Sequence, residues 1–321
     1  MTVDYTYAVA RLRAIEAVMP DRAWFQRLAR TPEEGILGAL KEQYPAFEGM
    51  TSLAGFEEGI EAGRLAVLEL VSALVPDPRA REFFRAGYDF DNLVHMWKAW
   101  KLESKPALVP FGLVDTELIE GAVRGERGGD LPPYLGDLLE RISAMGDDGG
   151  LTEAAFEAER AKWRFLGFIA TGAGAAGYIR TKIDLANIKS AIRMRRNELR
   201  RTERGTVWLE GGEIEATRWQ SLMRDGEEEI LKFLEMTSYR KLVSLGLERE
   251  MPLWRLEPLL RAQLFEYLGP SRYRFFDISP VLYHIELHER NEQLVRAIVV
   301  GQINGLPEDM ILEKIDALIP S

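Results

Sequence analysis

The chain is predicted to be all-α, and three observations carry that prediction. Apolar residues recur at three- and four-residue spacing over long stretches such as Gly59 to Val75 and Phe156 to Ile169, while strict alternation of apolar and polar residues is scarce. With 321 residues, 46% hydrophobic and 29% charged, the chain can bury a sizeable core and is not a disordered polymer. A helical motif also occurs twice, as Asp89-Phe90-Asp91-Asn92-Leu93 and Asp184-Leu185-Ala186-Asn187-Ile188, with the copies 95 positions apart. Self-similarity at so long a period points to a chain assembled from copies of one helical unit.

Taken in order, the elements begin with Tyr5 to Ala17, where Arg11, Arg13 and Glu16 interrupt any apolar run, so no signal peptide is expected there. Thr31-Pro32-Glu33-Glu34 reads as a helix start, with a capping hydroxyl, Pro at the first helical position and acids in the first turn. Pro76-Asp77-Pro78 separates two helices and leads into the first motif helix, whose pattern fades near Lys105-Pro106. Gly125 to Pro133 and Gly146 to Gly150 read as loops. Gly205 and Gly211-Gly212 close a second unit, and the turn Asn304-Gly305 is followed by Pro307-Glu308-Asp309, which opens a short terminal helix. Unit boundaries are placed near residues 105 and 205, giving units 1–105, 106–205 and 206–321. In the third, the motif is degenerate: Asn291 stands for the Asp and Leu294 for the Asn.

In both full copies the apolar positions continue at helical spacing, Phe90, Leu93 and Trp97 in one, Leu185, Ile188 and Ile192 in the other. One face therefore packs inward while Asp and Asn, three apart, share another edge. The longest uncharged run, Phe165 to Ile179, would span only about 22 Å as a helix against a hydrocarbon core of roughly 30 Å, and four glycines dilute it. It does not read as a membrane span.

Motifs that would carry chemistry are few. Gly172-Ala173-Gly174-Ala175-Ala176-Gly177 has the dinucleotide-binding spacing, with Glu198 downstream, but Trp163 to Ile169 before it reads as helix where the fingerprint needs a strand. A bend or a close helix contact made by small residues is the plainer reading. His284 and His288 lie four apart on a helix, with Glu292 a turn on, so they are a candidate metal pair; the Glu of a zinc-protease helix is misplaced, and exposed or partly packed histidines are expected. His95 has no nucleophile beside it, and no Gly-Lys dipeptide is present to build a phosphate-binding loop. No cofactor, metal or catalytic residue is expected.

A net charge of −10 and a pI near 5.1 argue against a nucleic-acid partner. The absence of cysteine fits a cytoplasmic protein. Arg180 to Arg204 is basic against this background, with nine Lys or Arg and three acids. Arg193, Arg196 and Arg200 form a candidate docking edge for an acidic surface or lipid headgroups, the plainer alternative being a solvated face with local pairs.

Ala10-Arg11-Leu12-Arg13-Ala14 in the opening helix, Leu40-Lys41-Glu42-Gln43-Tyr44, the two Asp-x-x-Asn-Leu/Ile motifs and the ending Gly301-Gln302-Ile303-Asn304-Gly305-Leu306-Pro307-Glu308 together resemble the C subunit of archaeal-type (A/V-type) rotary ATPases, called subunit d in the vacuolar pump. Val9, the degenerate third copy and the Gly-rich stretch depart from the family pattern. The resemblance implies a funnel of three similar helical bundles with pseudo-threefold symmetry, seated on the cytoplasmic end of the membrane rotor ring of proteolipid subunits and receiving the central stalk. It implies a non-catalytic, peripheral subunit that transmits torque for ion transport and takes no small-molecule substrate. Asp89 and Asp184 would then be structural charges near helix N-termini, and Asn92 and Asn187 would bond neighbouring helices. The alternatives are a helical scaffold or adaptor unrelated to rotary motors, and an enzyme using Gly172 to Gly177 or the histidine pair.

Overall fold

The computed structural model describes residues 3–126, 131–145, 150–196, 208–248 and 250–319. Among them the chain is all-helical, with no strand: α1 (Thr6–Glu16), α2 (Arg22–Arg30), α3 (Glu33–Gln43), α4 (Phe56–Leu74), α5 (Pro78–Lys101), α6 (Thr116–Val123), α7 (Pro133–Ser143), α8 (Gly150–Ala173), α9 (Ala176–Arg196), α10 (Ala216–Asp225), α11 (Glu227–Glu235), α12 (Arg240–Ser244), α13 (Leu256–Leu268), α14 (Ser279–Ile303) and α15 (Glu308–Leu318). None is long and apolar enough to cross a membrane. Two compact units are formed, one by residues 1–76 with 231–321 and the other by residues 77–230.

In the first unit α14 is the central element. It packs against α1, α2, α3, α4, α13 and α15, and its apolar residues are buried on more than one side because helices surround it. Leu294, Val295, Ile298 and Val299 meet Phe25, Leu28, Ile36, Leu40, Phe47 and Ile60 in one cluster, which α15 closes with Ile311 and Ile315. The ending Gly301 to Glu308 works residue by residue. A Cβ on Gly301 would sit 3.2 Å from Ile311, so the small residue lets α15 approach. The Gln302 amide donates to the carbonyls of Ala29 and Thr31, both at 2.9 Å. Gly305 takes φ 67°, a left-handed turn that favours glycine. Glu308 in the first turn of α15 meets Arg30, and Arg22 meets Asp316.

In the second unit α5 and α8 pack along each other, flanked by α6 and α7. Phe90, Leu93 and Trp97 of α5 join Ile119, Leu135, Leu138, Ile142 and the small face Ala154, Ala158, Ala161 of α8. The alanines let the two long helices come close, and the aromatics fill what remains, Tyr134 stacking on Phe165 at 4.3 Å.

Two start signals behave differently. Pro76-Asp77-Pro78 leads into α5 as expected, and Asp77 caps it, its side chain accepting from the Arg79 N–H at 3.0 Å. Thr31 instead closes α2, donating its hydroxyl to the Arg27 carbonyl, and Pro32 takes the cap position of α3. The glycine-rich segment is not one continuous element. Helix α8 runs through Ala173, Gly174 turns the chain at φ 75°, and α9 starts at Ala176. A helix precedes the segment where a dinucleotide site would need a strand. Of the expected loops, residues 127–130, 146–149 and Gly205 lie outside the described residues.

Candidate functional site

The two motif copies build the same device, a clasp that holds the connection following each long helix. In α5 the Asn92 side chain pairs in both directions with one residue of the connection. Its oxygen accepts from the Val109 N–H at 2.9 Å and its nitrogen donates to the Val109 carbonyl at 2.8 Å. One turn earlier, Asp89 Oδ1 accepts from the N–H groups of Leu113 and Val114 at 2.8 and 3.0 Å, while Oδ2 accepts from the Tyr134 hydroxyl at 2.9 Å. Arg85 and His95 extend the row. Arg85 donates to the carbonyls of Phe111 and Gly112, and His95 Nδ1 lies 2.8 Å from the Ala107 carbonyl. Residues 85, 89, 92 and 95 fall on one helix edge, so a single edge grips the strap 107–114.

Helix α9 repeats the pattern. Asn187 pairs both ways with Leu209, at 2.9 and 2.8 Å, and Asp184 accepts from the N–H groups of Glu213 and Ile214 at 2.8 and 3.2 Å. All four motif side chains are at most 1% exposed. Buried amides and carboxylates at that depth need full hydrogen bonding, and backbone of the strap supplies it. Each strap carries one glycine that makes the approach possible. A Cβ on Gly112 would stand 2.2 Å from Asp89 Oδ1, and one on Gly212 would stand 2.0 Å from Asp184 Oδ1.

The expected roles of these residues change in two respects. Asp89 and Asp184 lie well inside α5 and α9, away from those helices' N-termini, and their charge meets N–H groups of the straps. Asn92 and Asn187 bond straps and not helices. Burial raises the Asp89 carboxyl above its ordinary value even though Val114, Tyr134, Leu113 and Arg85 act to lower it. Burial likewise raises the Tyr134 phenol, with Asp89 adding to the effect. Sequence reading missed Arg85, Tyr134 and the role of His95. The signal was there in the straps, where Val109, Gly112, Val114 and Asp115 recur as Leu209, Gly212, Ile214 and Glu215. Arg180 stands 95 positions beyond Arg85 but is exposed.

The degenerate copy follows from the same geometry. The connection after α14 is only residues 304–307, so no strap lies back on the helix. Leu294, at the Asn position, joins the apolar cluster, and Asn291 accepts from Arg290 at 3.2 Å.

His284 is buried, contrary to the expectation of exposed or partly packed rings, while His288 is partly packed as expected. His284 is 0% exposed, its Nδ1 lies 3.1 Å from Glu16 Oε1, and its Nε2 lies 3.1 Å from His288 Nε2. Burial, reinforced by His284, lowers His288 to about 3. Burial would raise Glu16, but His284 and Arg13 outweigh it and hold the carboxyl below its ordinary value. Glu292 does not complete a triad with the rings; one of its oxygens takes Arg64 Nε at 3.0 Å and Nη2 at 2.7 Å. No group of three metal-ligating side chains occurs among the described residues.

The basic edge is only partly outward. Arg193 is exposed. Arg196 is 11% exposed and donates to Glu227 through Nε and Nη2 at 3.0 and 2.8 Å. Arg195 donates to the Met223 carbonyl in the last turn of α10, a favourable place for a cation. Arg200 lies outside the described residues.

Residues 8–314 match the family described as ATP synthase (C/AC39) subunit. The chain belongs to that family. No individual curated protein matches it. For this ATP synthase C/AC39 subunit the match covers both clasps, the histidine pair and the Gly301 to Glu308 ending. It sets aside the reading of a scaffold unrelated to rotary motors, and assigns the chain to the A/V-type ATP synthase complexes, with their ion transport and ATP synthesis.

Proposed function

We propose that this subunit is a non-catalytic part of the central rotor, a socket that links the central stalk to the proteolipid ring on the cytoplasmic face of the membrane and passes torque between them. The family match over residues 8–314 carries the reading. The clasps support it mechanically. A torque-bearing part must not let its connections peel away, and each strap is held by several hydrogen bonds to buried side chains rather than by apolar contact alone. In this reading the repeated order of long helix, connection and short helix reflects three related bundles around an axis, in units near 1–105, 106–205 and 206–321. Arg193, with Arg200, would offer charge to an acidic partner surface, while Arg196 serves the fold through Glu227.

The test is reconstitution of the full chain with isolated central-stalk subunits and with detergent-solubilised rotor ring. A ternary complex in which stalk and ring meet only when this subunit is present is expected, together with no ATP hydrolysis by the chain alone. Stalk and ring that join equally well without it, or turnover by the isolated chain, would overturn the proposal. Arg193→Glu should slow association most at low salt, where the Debye length is longest.

A further inference from the structure

Helix α5 runs out at Lys101 and the chain reverses there. Glu103 takes φ 48°, a left-handed turn, and residues 107–114 lie back along the helix. His95, 2.8 Å from the Ala107 carbonyl, holds the returning chain close behind this tip. Residues 100–105 are all exposed. Among them Trp100 is 50% and Leu102 59% exposed, although both would gain by leaving water.

Charge and side-chain type decide what covers the tip. Lys98, Lys101 and Lys105 stand there against one acid, Glu103, in a chain whose net charge is −10. An anionic surface that repels the rest of the chain therefore attracts this end and turns it inward. Lys98 and Lys105 make no ion pair among the described residues, and the Lys101 ammonium lies 5.3 Å from the centroid of the Trp100 ring. The cations are all lysine. The chain has ten lysines against thirty-one arginines, yet no arginine falls between Arg85 and Arg124. A fixed constellation of carboxylates on a protein is matched by the guanidinium fork. Mobile headgroups offer no fixed geometry, and they are met by point charges on flexible stems whose methylenes lie in the apolar boundary layer. Tryptophan, with an apolar body and one N–H, belongs to that same layer.

We propose that the tip of α5, residues 98–105, is a docking surface for an anionic bilayer. Trp100 and Leu102 enter the boundary between headgroups and acyl chains, and Lys98, Lys101 and Lys105 face the lipid phosphates. The contact is peripheral, as no described helix is long and apolar enough to cross a membrane. The socket role does not require it. Vesicles free of any rotor component test the tip alone, so either reading can fail while the other stands.

The full chain is floated with vesicles of phosphatidylcholine alone and with vesicles in which one lipid in three is phosphatidylglycerol, at low and at high salt. It is expected to bind the anionic vesicles and not the neutral ones, and less tightly as salt rises. A lysine at such a surface is worth about fivefold in partition, so Lys98→Gln with Lys101→Gln and Lys105→Gln should bind at least about thirtyfold more weakly. Trp100→Ser with Leu102→Ser should melt like the parent, because both side chains are exposed, and bind several-fold more weakly. Arg193→Gln, on the other basic stretch, should bind like the parent. A parent that binds neither kind of vesicle or both equally, a triple-lysine or Trp100/Leu102 variant that floats like the parent, or binding abolished by Arg193→Gln would each overturn the proposal. So would a triple-lysine variant that loses the detergent-solubilised rotor ring while the parent ignores anionic vesicles, which would give the tip to a protein partner.

Discussion

Replacing Asn187 by Ala isolates one half of a clasp. The side chain is 0% exposed and makes two hydrogen bonds, both to Leu209, whose own exposure is 6%. Truncation removes both bonds and leaves the Leu209 N–H and carbonyl without partners in a space too apolar for them. Two neutral bonds are worth about 0.5–1.5 kcal/mol each, and stranded buried groups push the loss toward the upper end, so a cost of about 2–4 kcal/mol is expected. Asn92→Ala removes the same pair of bonds to Val109, but there the bonded groups are only partly buried and water can replace the lost partner. Its cost should be lower, about 1–2 kcal/mol. Urea unfolding followed by far-UV circular dichroism measures both, with unchanged m-values showing that stability and not compactness has moved. Because Asn187 and Asp184 hold one strap, Asp184→Asn combined with Asn187→Ala should cost less than the sum of the two single changes. An Asn187→Ala protein as stable as the parent, or one less affected than Asn92→Ala, would refute the assignment of these amides as strap clasps.

Gly212→Ala and Gly112→Ala should each destabilise by about 2 kcal/mol or more, since the new methyl group meets a buried carboxylate oxygen that is already engaged; Gly136→Ala in α7, with nothing within 4 Å of the added Cβ, should stabilise by about 0.5–1 kcal/mol in the same thermal scan. His288 gives a pH signature: its folded value of about 3 lies below the ordinary 6.5, so the unfolded chain takes up the proton first, and stability present above pH 6.5 is lost as pH falls toward 3. Near pH 5 that contribution changes by about 1.4 kcal/mol per pH unit, and His288→Gln should remove it from urea midpoints compared between pH 7.5 and 4.5; parallel curves for parent and variant would show that the ring is not buried neutral.

The helices themselves were legible because burial imposes a period on the sequence. Gly59 to Val75 and Phe156 to Ile169 became α4 and α8, and Pro78 and Pro307 marked helix starts as their fixed φ requires. The site was half legible. Asp and Asn three apart announced a polar edge, but helical periodicity says nothing about a partner without a period, and the straps are irregular chain. A buried carboxylate inside a helix is unusual enough that a helix N-terminus looked the better home for it; its actual partners are N–H groups 24 to 30 residues downstream. His284 was misjudged for a related reason. His284 owes its burial to Glu16 on α1, 268 positions away in the chain, and no local pattern carries that information.

What the motif reports is the strap, not the helix that bears it. Among the described residues a long helix is followed by a short one in three places, α5 by α6, α9 by α10 and α14 by α15, and the lengths of chain between them differ: residues 102–115, 197–215 and 304–307. Asp and Asn in the middle of a buried helix are tolerable only where backbone donors and acceptors come to meet them, because each otherwise loses its hydration for nothing. Residues 107–114 lie back along α5 and residues 209–214 along α9, and they supply those groups. The third turns at once through Gly305 into α15 and leaves the corresponding helix edge to apolar neighbours. An Asn at position 294 would place an amide among Phe25, Leu28 and Ile298 with no strap to answer it, so an apolar residue such as Leu294 is what this short connection demands at that edge.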